Sequence, residues 1–140
     1  MRESLGSAFL INIILIFIIV FMSLFATSTS YTKAYKIKNQ IINMIEEHNG
    51  KYYSVEKDIE TFLDDAGYRV NGTGVCPDGE NLVNSNLNYC VNLINETGNK
   101  EKSSYHYKIT AFMHFEIPIV GSLVAIPVSG ETKSFGVFTR

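Results

Sequence analysis

Apolar residues dominate the first part of the chain. Residues 8–26 contain only two polar side chains, Asn12 and Ser23, and neither glycine nor proline occurs between Gly6 and Gly50. About 19 residues at 1.5 Å each span the roughly 30 Å hydrocarbon core of a bilayer, where a helix satisfies its own backbone hydrogen bonds. The pattern predicts a helix that starts inside a membrane.

The helical pattern continues beyond this segment but becomes amphipathic. Apolar and polar residues repeat at steps of three and four on opposite sides, with Ala34, Ile37, Ile41, Met44 and Ile45 on one side and Lys33, Lys36, Gln40, Asn43 and Glu47 on the other. We therefore predict one rod of about 60 Å, ended by Asn49 and Gly50 as a left-handed cap. A cleaved signal peptide is the alternative, and it predicts loss of the first 28 residues or so.

The remaining part of the chain, residues 51–140, is predicted to be one small α+β domain. A helix with Ser54 as its N-cap and Gly67 at its end would bury one apolar side. Strands are predicted over residues 89–94, 105–117, 123–128 and 133–138, with Pro127 and Gly130 as interruptions. In residues 105–117 apolar side chains alternate with mostly polar ones, which predicts one buried and one largely solvated face. The fold class is a helix packed on an antiparallel sheet.

Two cysteines, Cys76 and Cys90, stand 14 positions apart in this domain. A disulfide closing a loop of this size contributes about 3 kcal/mol in the chain-entropy model, and it would place the domain outside the cytoplasm. Free thiols, and a zinc site completed by scattered histidines, are the alternatives. Against the external location, Lys33, Lys36 and Lys38 follow the apolar segment, and the positive-inside rule places such residues in the cytoplasm.

Composition and motifs give no indication of catalysis or nucleic-acid binding. The net charge is −2 without a long basic run. Neighbouring Asp64 and Asp65 face different directions on a helix, and His106 and His114 are predicted to be solvated strand residues. No P-loop, Gly-x-Ser-x-Gly or His-Glu-x-x-His occurs. We expect no enzyme activity, no cofactor and no metal.

The order of these features resembles a known family of structural proteins. Residues 2–7, Arg-Glu-Ser-Leu-Gly-Ser, run straight into the apolar helix, and residues 115–121, Phe-Glu-Ile-Pro-Ile-Val-Gly, lead a strand into an apolar hairpin. Together with the amphipathic continuation and the C-terminal sheet, they make the chain similar to type IV pilin-like proteins. It most resembles the TadE-like minor pilins, or pseudopilins, of tight-adherence pilus systems.

The resemblance implies a division of the chain. Residues 1–6 would be a leader cut by a prepilin peptidase between Gly6 and Ser7, residues 7–26 the transmembrane helix, residues 27–50 its amphipathic extension, and residues 51–140 an extracytoplasmic domain. The glutamate that the family has five residues into the mature helix falls at Ile11 here, and the neighbouring Asn12 is the polar residue of that turn.

The family also implies surfaces for assembly. We expect Phe9, Asn12 and Ile16 to pack against other helices, although a single asparagine in a membrane helix is also tolerated without a partner. An apolar surface for assembly is expected at Ile117, Pro118, Ile119, Val120 and Pro127, with burial in the core as the alternative.

The expected function is that of a structural subunit of a pilus or secretion filament at the cell surface. Its partners would be the membrane, other pilin-like subunits and pilus assembly proteins. The alternative is a membrane-tethered binding or adhesion module, acting through the loop between Cys76 and Cys90 without filament formation.

Overall fold

A computed structural model of the protein describes residues 2–68, 75–77, 79–83, 89–97, 103–116 and 123–137. The described elements are two helices followed by an antiparallel sheet, which confirms the predicted α+β class. They are α1 (Arg2–Glu47), α2 (Tyr52–Asp65), β1 (Asn81–Val83), β2 (Tyr89–Thr97), β3 (Ser103–Glu116), β4 (Leu123–Glu131) and β5 (Phe135–Val137).

The long helix α1 is continuous over 46 residues, as the absence of glycine and proline between Gly6 and Gly50 predicts. Asn49 and Gly50 adopt positive φ values of 52° and 76° and end the helix in the predicted left-handed cap. The chain then enters α2 at Tyr52, two residues before the predicted N-cap. The prediction for Ser54 is therefore wrong, because its hydroxyl donates to the Lys51 carbonyl at 2.7 Å from within the first turn.

The sheet has the strand order β1-β2-β3-β4, and β5 pairs with the start of β3. Strand β4 runs through Pro127 and Gly130, so the predicted interruptions there are wrong. Pro127 stands opposite Phe112 and Gly130 opposite Ile109. Strand β1 lies outside the four predicted strands, since three residues are too few to show a periodic pattern.

Both helices pack on the face of β3 that carries its odd-numbered residues. The core comprises side chains of α1, α2, β2, β3 and β5 together with Tyr68: Ile37, Ile41, Ile45, Tyr52, Val55, Ile59, Leu63, Tyr68, Tyr89, Val91, Tyr107, Ile109, Ala111 and Phe135. The amphipathic extension of α1 therefore belongs to the domain, because its apolar side forms one wall of the core.

The opposite face of the sheet is less solvated than the alternation predicts. Thr110 and Phe112 belong to this even-numbered face, yet they are 0% and 2% exposed. Thr110 is paired with Cys90 on one side and with Ser129 on the other, where the two hydroxyl oxygens lie 2.8 Å apart. Part of this face is therefore buried, which the alternation of apolar and polar residues along one strand does not predict.

Three buried tyrosines connect the layers through their hydroxyl groups. The Tyr52 and Tyr89 oxygens lie 2.9 Å apart, and the Tyr68 hydroxyl accepts from the Phe112 amide and donates to the Phe112 carbonyl, at 2.7 and 3.2 Å. Burial raises the pKa of Tyr52 and of Tyr68 to about 12 in each case. These hydroxyls consequently stay neutral and join α2 and its end to the sheet.

Candidate functional site

The first half of α1 is the largest apolar surface of the described protein. Within its most apolar window, no part is buried inside the molecule, and mean hydropathy reaches 3.0. Phe9 is 68% exposed and Ile16 is 62% exposed. By length and composition, α1 is the one helix among the described residues that could cross a membrane. An apolar surface of this size requires lipid or other helices around it.

Asn12 lies on the side of α1 that, further along, packs on the sheet. Asn12, Ser23, Ala34 and Ile45 follow one another at intervals of 11 residues, close to three helical turns. Ala34 and Ile45 are buried against the domain, at 2% and 0% exposure. Phe9 and Ile16 fall on the same side as Asn12. This side of residues 9–30, which we call the lower face of α1, continues the domain-packing side toward the N-terminus.

Hydroxyl groups between Ser23 and Thr32 donate hydrogen bonds to carbonyl groups of α1 itself. Ser23, Thr27, Thr29 and Thr32 each donate to the carbonyl four residues earlier, at 2.8 to 3.1 Å. They are therefore satisfied without a partner molecule. The Asn12 amide has no hydrogen bond in the described part of the chain, and in lipid an unpaired amide is unfavourable. Asn12 is the polar group of this segment that would gain most from a neighbouring helix.

The residues of the predicted leader junction lie inside α1. Gly6 and Ser7 are part of the continuous helix, and a side chain added at Gly6 would have no atom within 4 Å. The structure therefore places this junction at an accessible position near the N-terminal end of the helix.

The cysteine prediction is confirmed, because Cys76 and Cys90 form a disulfide with their Cα atoms 5.8 Å apart. Glu80 lies within the closed loop, and its side chain is fully buried. Neither carboxylate oxygen has a hydrogen bond in the described structure, and the Lys108 ammonium, 2.9 Å from Oε1, supplies the compensating charge. The disulfide and this ion pair thus add to the β1–β2 pairing in holding the loop to the sheet. The sequence pattern did not predict the ion pair between Glu80 and Lys108.

The predicted assembly surface is described only at Pro127, which is exposed in β4. Ile117, Pro118, Ile119 and Val120 lie outside the described residues. Pro127 stands opposite Phe112, where a residue without an N–H is compatible with a strand.

A polar cluster on the even face of the sheet was not predicted. Glu96 accepts hydrogen bonds from Ser104 and Ser134 at 2.8 and 3.3 Å, and its other oxygen lies 3.3 Å from His106 Nδ1. Glu131 approaches the other ring nitrogen at 4.0 Å. The hydrogen bond from Ser104 is the main cause that holds the pKa of Glu96 below its ordinary value. The His106 side chain is only 12% exposed, so its prediction as a solvated residue is wrong.

This cluster joins residues of β2, β3 and β4 and Ser134 from the connection between β4 and β5, so only the tertiary structure brings them together. His106 faces Ile94, and Ser104 faces Glu96. Across the described residues no group of three or more His, Cys, Asp or Glu side chains is arranged to hold a metal ion.

No family model, curated protein or solved structure matches this chain. Its function must therefore be argued from its own residues.

Proposed function

We propose that this protein is a membrane-anchored, pilin-like structural subunit that works through assembly. The observation that carries the proposal is the division of α1 into two halves on one continuous helix. The second half of α1 forms one wall of the domain core, whereas the apolar side chains of the first half are exposed. A helix built in this way can move its apolar half between lipid and a bundle of similar helices while the domain remains folded.

Under the proposal, other helices pack against the lower face of α1 rather than against its other sides. Asn12 is the amide without a partner on that face, and an amide has both a donor and an acceptor, so two copies can satisfy each other. The disulfide supports an extracytoplasmic position of the sheet domain. Under the proposal, other pilin-like subunits contact the lower face, and the domain contributes contacts outside the membrane.

Cysteine cross-linking in native membranes tests the packing. Both native cysteines are in the disulfide, so an added cysteine is the one free thiol of the chain. Ile16→Cys places it on the lower face, and Ile18→Cys, two residues on, places it on nearly the opposite side. The two positions are 62% and 50% exposed. We expect oxidative cross-links from Ile16→Cys and far fewer from Ile18→Cys. Equal yields at both positions would contradict directed packing.

The intact mass of the purified protein tests the processing step that the family resemblance implies. A mass beginning at Ser7 supports a cleaved leader, and Gly6→Val should then leave Met1 in place. An unprocessed chain that also fails to cross-link would instead favour a membrane-tethered binding module. A mass beginning near Thr29 would identify a secreted domain and overturn the proposal.

A further inference from the structure

Strand β3 runs antiparallel to α1, so its C-terminal end points in the direction of the apolar segment. Three contacts establish the alignment. A Cβ atom at Gly50 would lie 2.6 Å from the ring of Phe135, which pairs with Tyr105 near the start of β3. A Cβ atom at Gly130, opposite Ile109, would lie 2.8 Å from Lys38 Cδ.

The third contact lies nearest to the apolar segment. A cavity of about 210 Å³ is lined jointly by Ser30, Lys33 and Ala34 of α1 and by Phe112 and His114 of β3, together with Gly67 and Tyr68. Moving down α1 from residue 50 to residue 30 therefore corresponds to moving along β3 from Tyr105 to His114.

This alignment sets the height of the sheet above a membrane. The apolar segment ends at Ala26, so Ser30 and Ala34 lie about 6 to 12 Å beyond it along the helix axis. The polar layer of a bilayer is about 5 to 8 Å thick on each side. The backbone pair Glu116 and Leu123, where β3 ends and β4 begins, lies about 10 Å closer to the apolar segment than Met113 does. The end of the β3–β4 pair therefore reaches the level of the lipid headgroups.

The side chains at this level and within about 10 Å of it on the side away from the apolar segment have the chemistry of a membrane interface. Tyr31 and Tyr35 of α1 are about half exposed and stack with their ring centres 6.3 Å apart. Lys33 and Lys36 line an adjoining groove with hydroxyl residues of the same helix. On β4, Ile126 is 42% exposed although it lies on the core-facing side of the sheet, opposite Met113. We call these five residues the collar.

We propose that the collar docks the domain on the phospholipid headgroup layer, so that the bilayer orients the domain rather than merely tethering it. Tyrosine rings suit the boundary between apolar and aqueous layers, and lysine ammonium groups complement lipid phosphates. The exposed Ile126 side chain would contact apolar groups of the lipids at the depth of the headgroup layer. This inference depends on the membrane anchor of the proposed function.

Single-tryptophan variants in lipid nanodiscs test the docking, because the native chain contains no tryptophan. Ile126→Trp reports from the collar. Leu93→Trp is the matched control, since Leu93 is 49% exposed, lies on the same sheet face and pairs with Tyr107. Tyr107 is six β3 residues from Met113, or about 20 Å further from the proposed bilayer surface. Phe17→Trp, at a 69% exposed position of the apolar segment, reports on the anchor.

The full-length variants are measured with lipids that carry a nitroxide quencher on the headgroup or in the acyl chains. We expect headgroup nitroxides to remove most of the emission of Ile126→Trp and little of that of Leu93→Trp. Similar quenching of these two variants, whether strong or weak, would overturn the docking. The Phe17→Trp variant separates the two proposals: if acyl-chain nitroxides leave its emission unchanged, the membrane anchor itself is wrong.

Discussion

Gly50 joins the two helices in a backbone conformation that only glycine adopts without strain. Its φ is 76°, and a Cβ atom there would lie 2.6 to 2.9 Å from carbons of the Phe135 ring. We expect Gly50→Ala to lower the free energy of unfolding by about 1–3 kcal/mol. Gly136→Ala is the control, because no atom lies within 4 Å of its Cβ position. Urea unfolding in detergent measures both, and equal midpoints would contradict the argument.

His114 makes stability depend on pH at the end of the domain nearest the apolar segment. Burial lowers the pKa of its imidazole below the ordinary 6.5, and Nε2 is buried without a hydrogen bond. The unfolded chain therefore binds this proton more readily than the folded protein does, so stability decreases as the pH falls below about 6.5. We expect His114→Gln to flatten the decline of the urea midpoint between about pH 7 and pH 5. The unchanged protein measured in parallel is the reference, and an equally steep decline in His114→Gln would contradict the argument.

At the scale of elements, the disulfide loop depends on the ion pair between Glu80 and Lys108. The Glu80 side chain is fully buried and the Lys108 side chain is 30% exposed. Lys108→Met leaves the carboxylate buried without a compensating charge, and we expect a loss of about 3 kcal/mol. Combining it with Glu80→Leu removes both charges and should restore much of that stability. Chemical unfolding of the two single variants and the double variant measures the coupling, and additive losses would count against it.

The boundaries of the folding unit are a property of the whole molecule. Ile37, Ile41 and Ile45 are 3%, 0% and 0% exposed in the core, so the second half of α1 is needed for folding. We expect a fragment of residues 28–140 to unfold cooperatively in buffer without detergent. A fragment of residues 50–140 should not, because each lost isoleucine removes about 2–5 kcal/mol from a total stability of about 5–15 kcal/mol. Circular dichroism during urea titration compares them, and a cooperative transition in the shorter fragment would show that α1 is dispensable.

Local patterns in the sequence determined the helices and the main strand of this protein. The uninterrupted run from Gly6 to Gly50 predicts α1, because helix continuity depends on residues only three or four positions apart. The alternation in residues 105–117 likewise predicts β3, and the short loop between Cys76 and Cys90 favours their disulfide.

Only the tertiary structure decided which of these elements meet. Strand pairing carries β4 through Pro127 and Gly130, since a neighbouring strand and a passing Lys38 side chain accommodate both. Register brings Glu96 to Ser104 and His106, and the disulfide loop brings buried Glu80 to Lys108. The antiparallel course of β3 along α1 puts Ile126 near the end of the apolar segment. Such contacts join residues far apart in the chain, so they depend on packing geometry that a local pattern of apolar and polar residues does not encode.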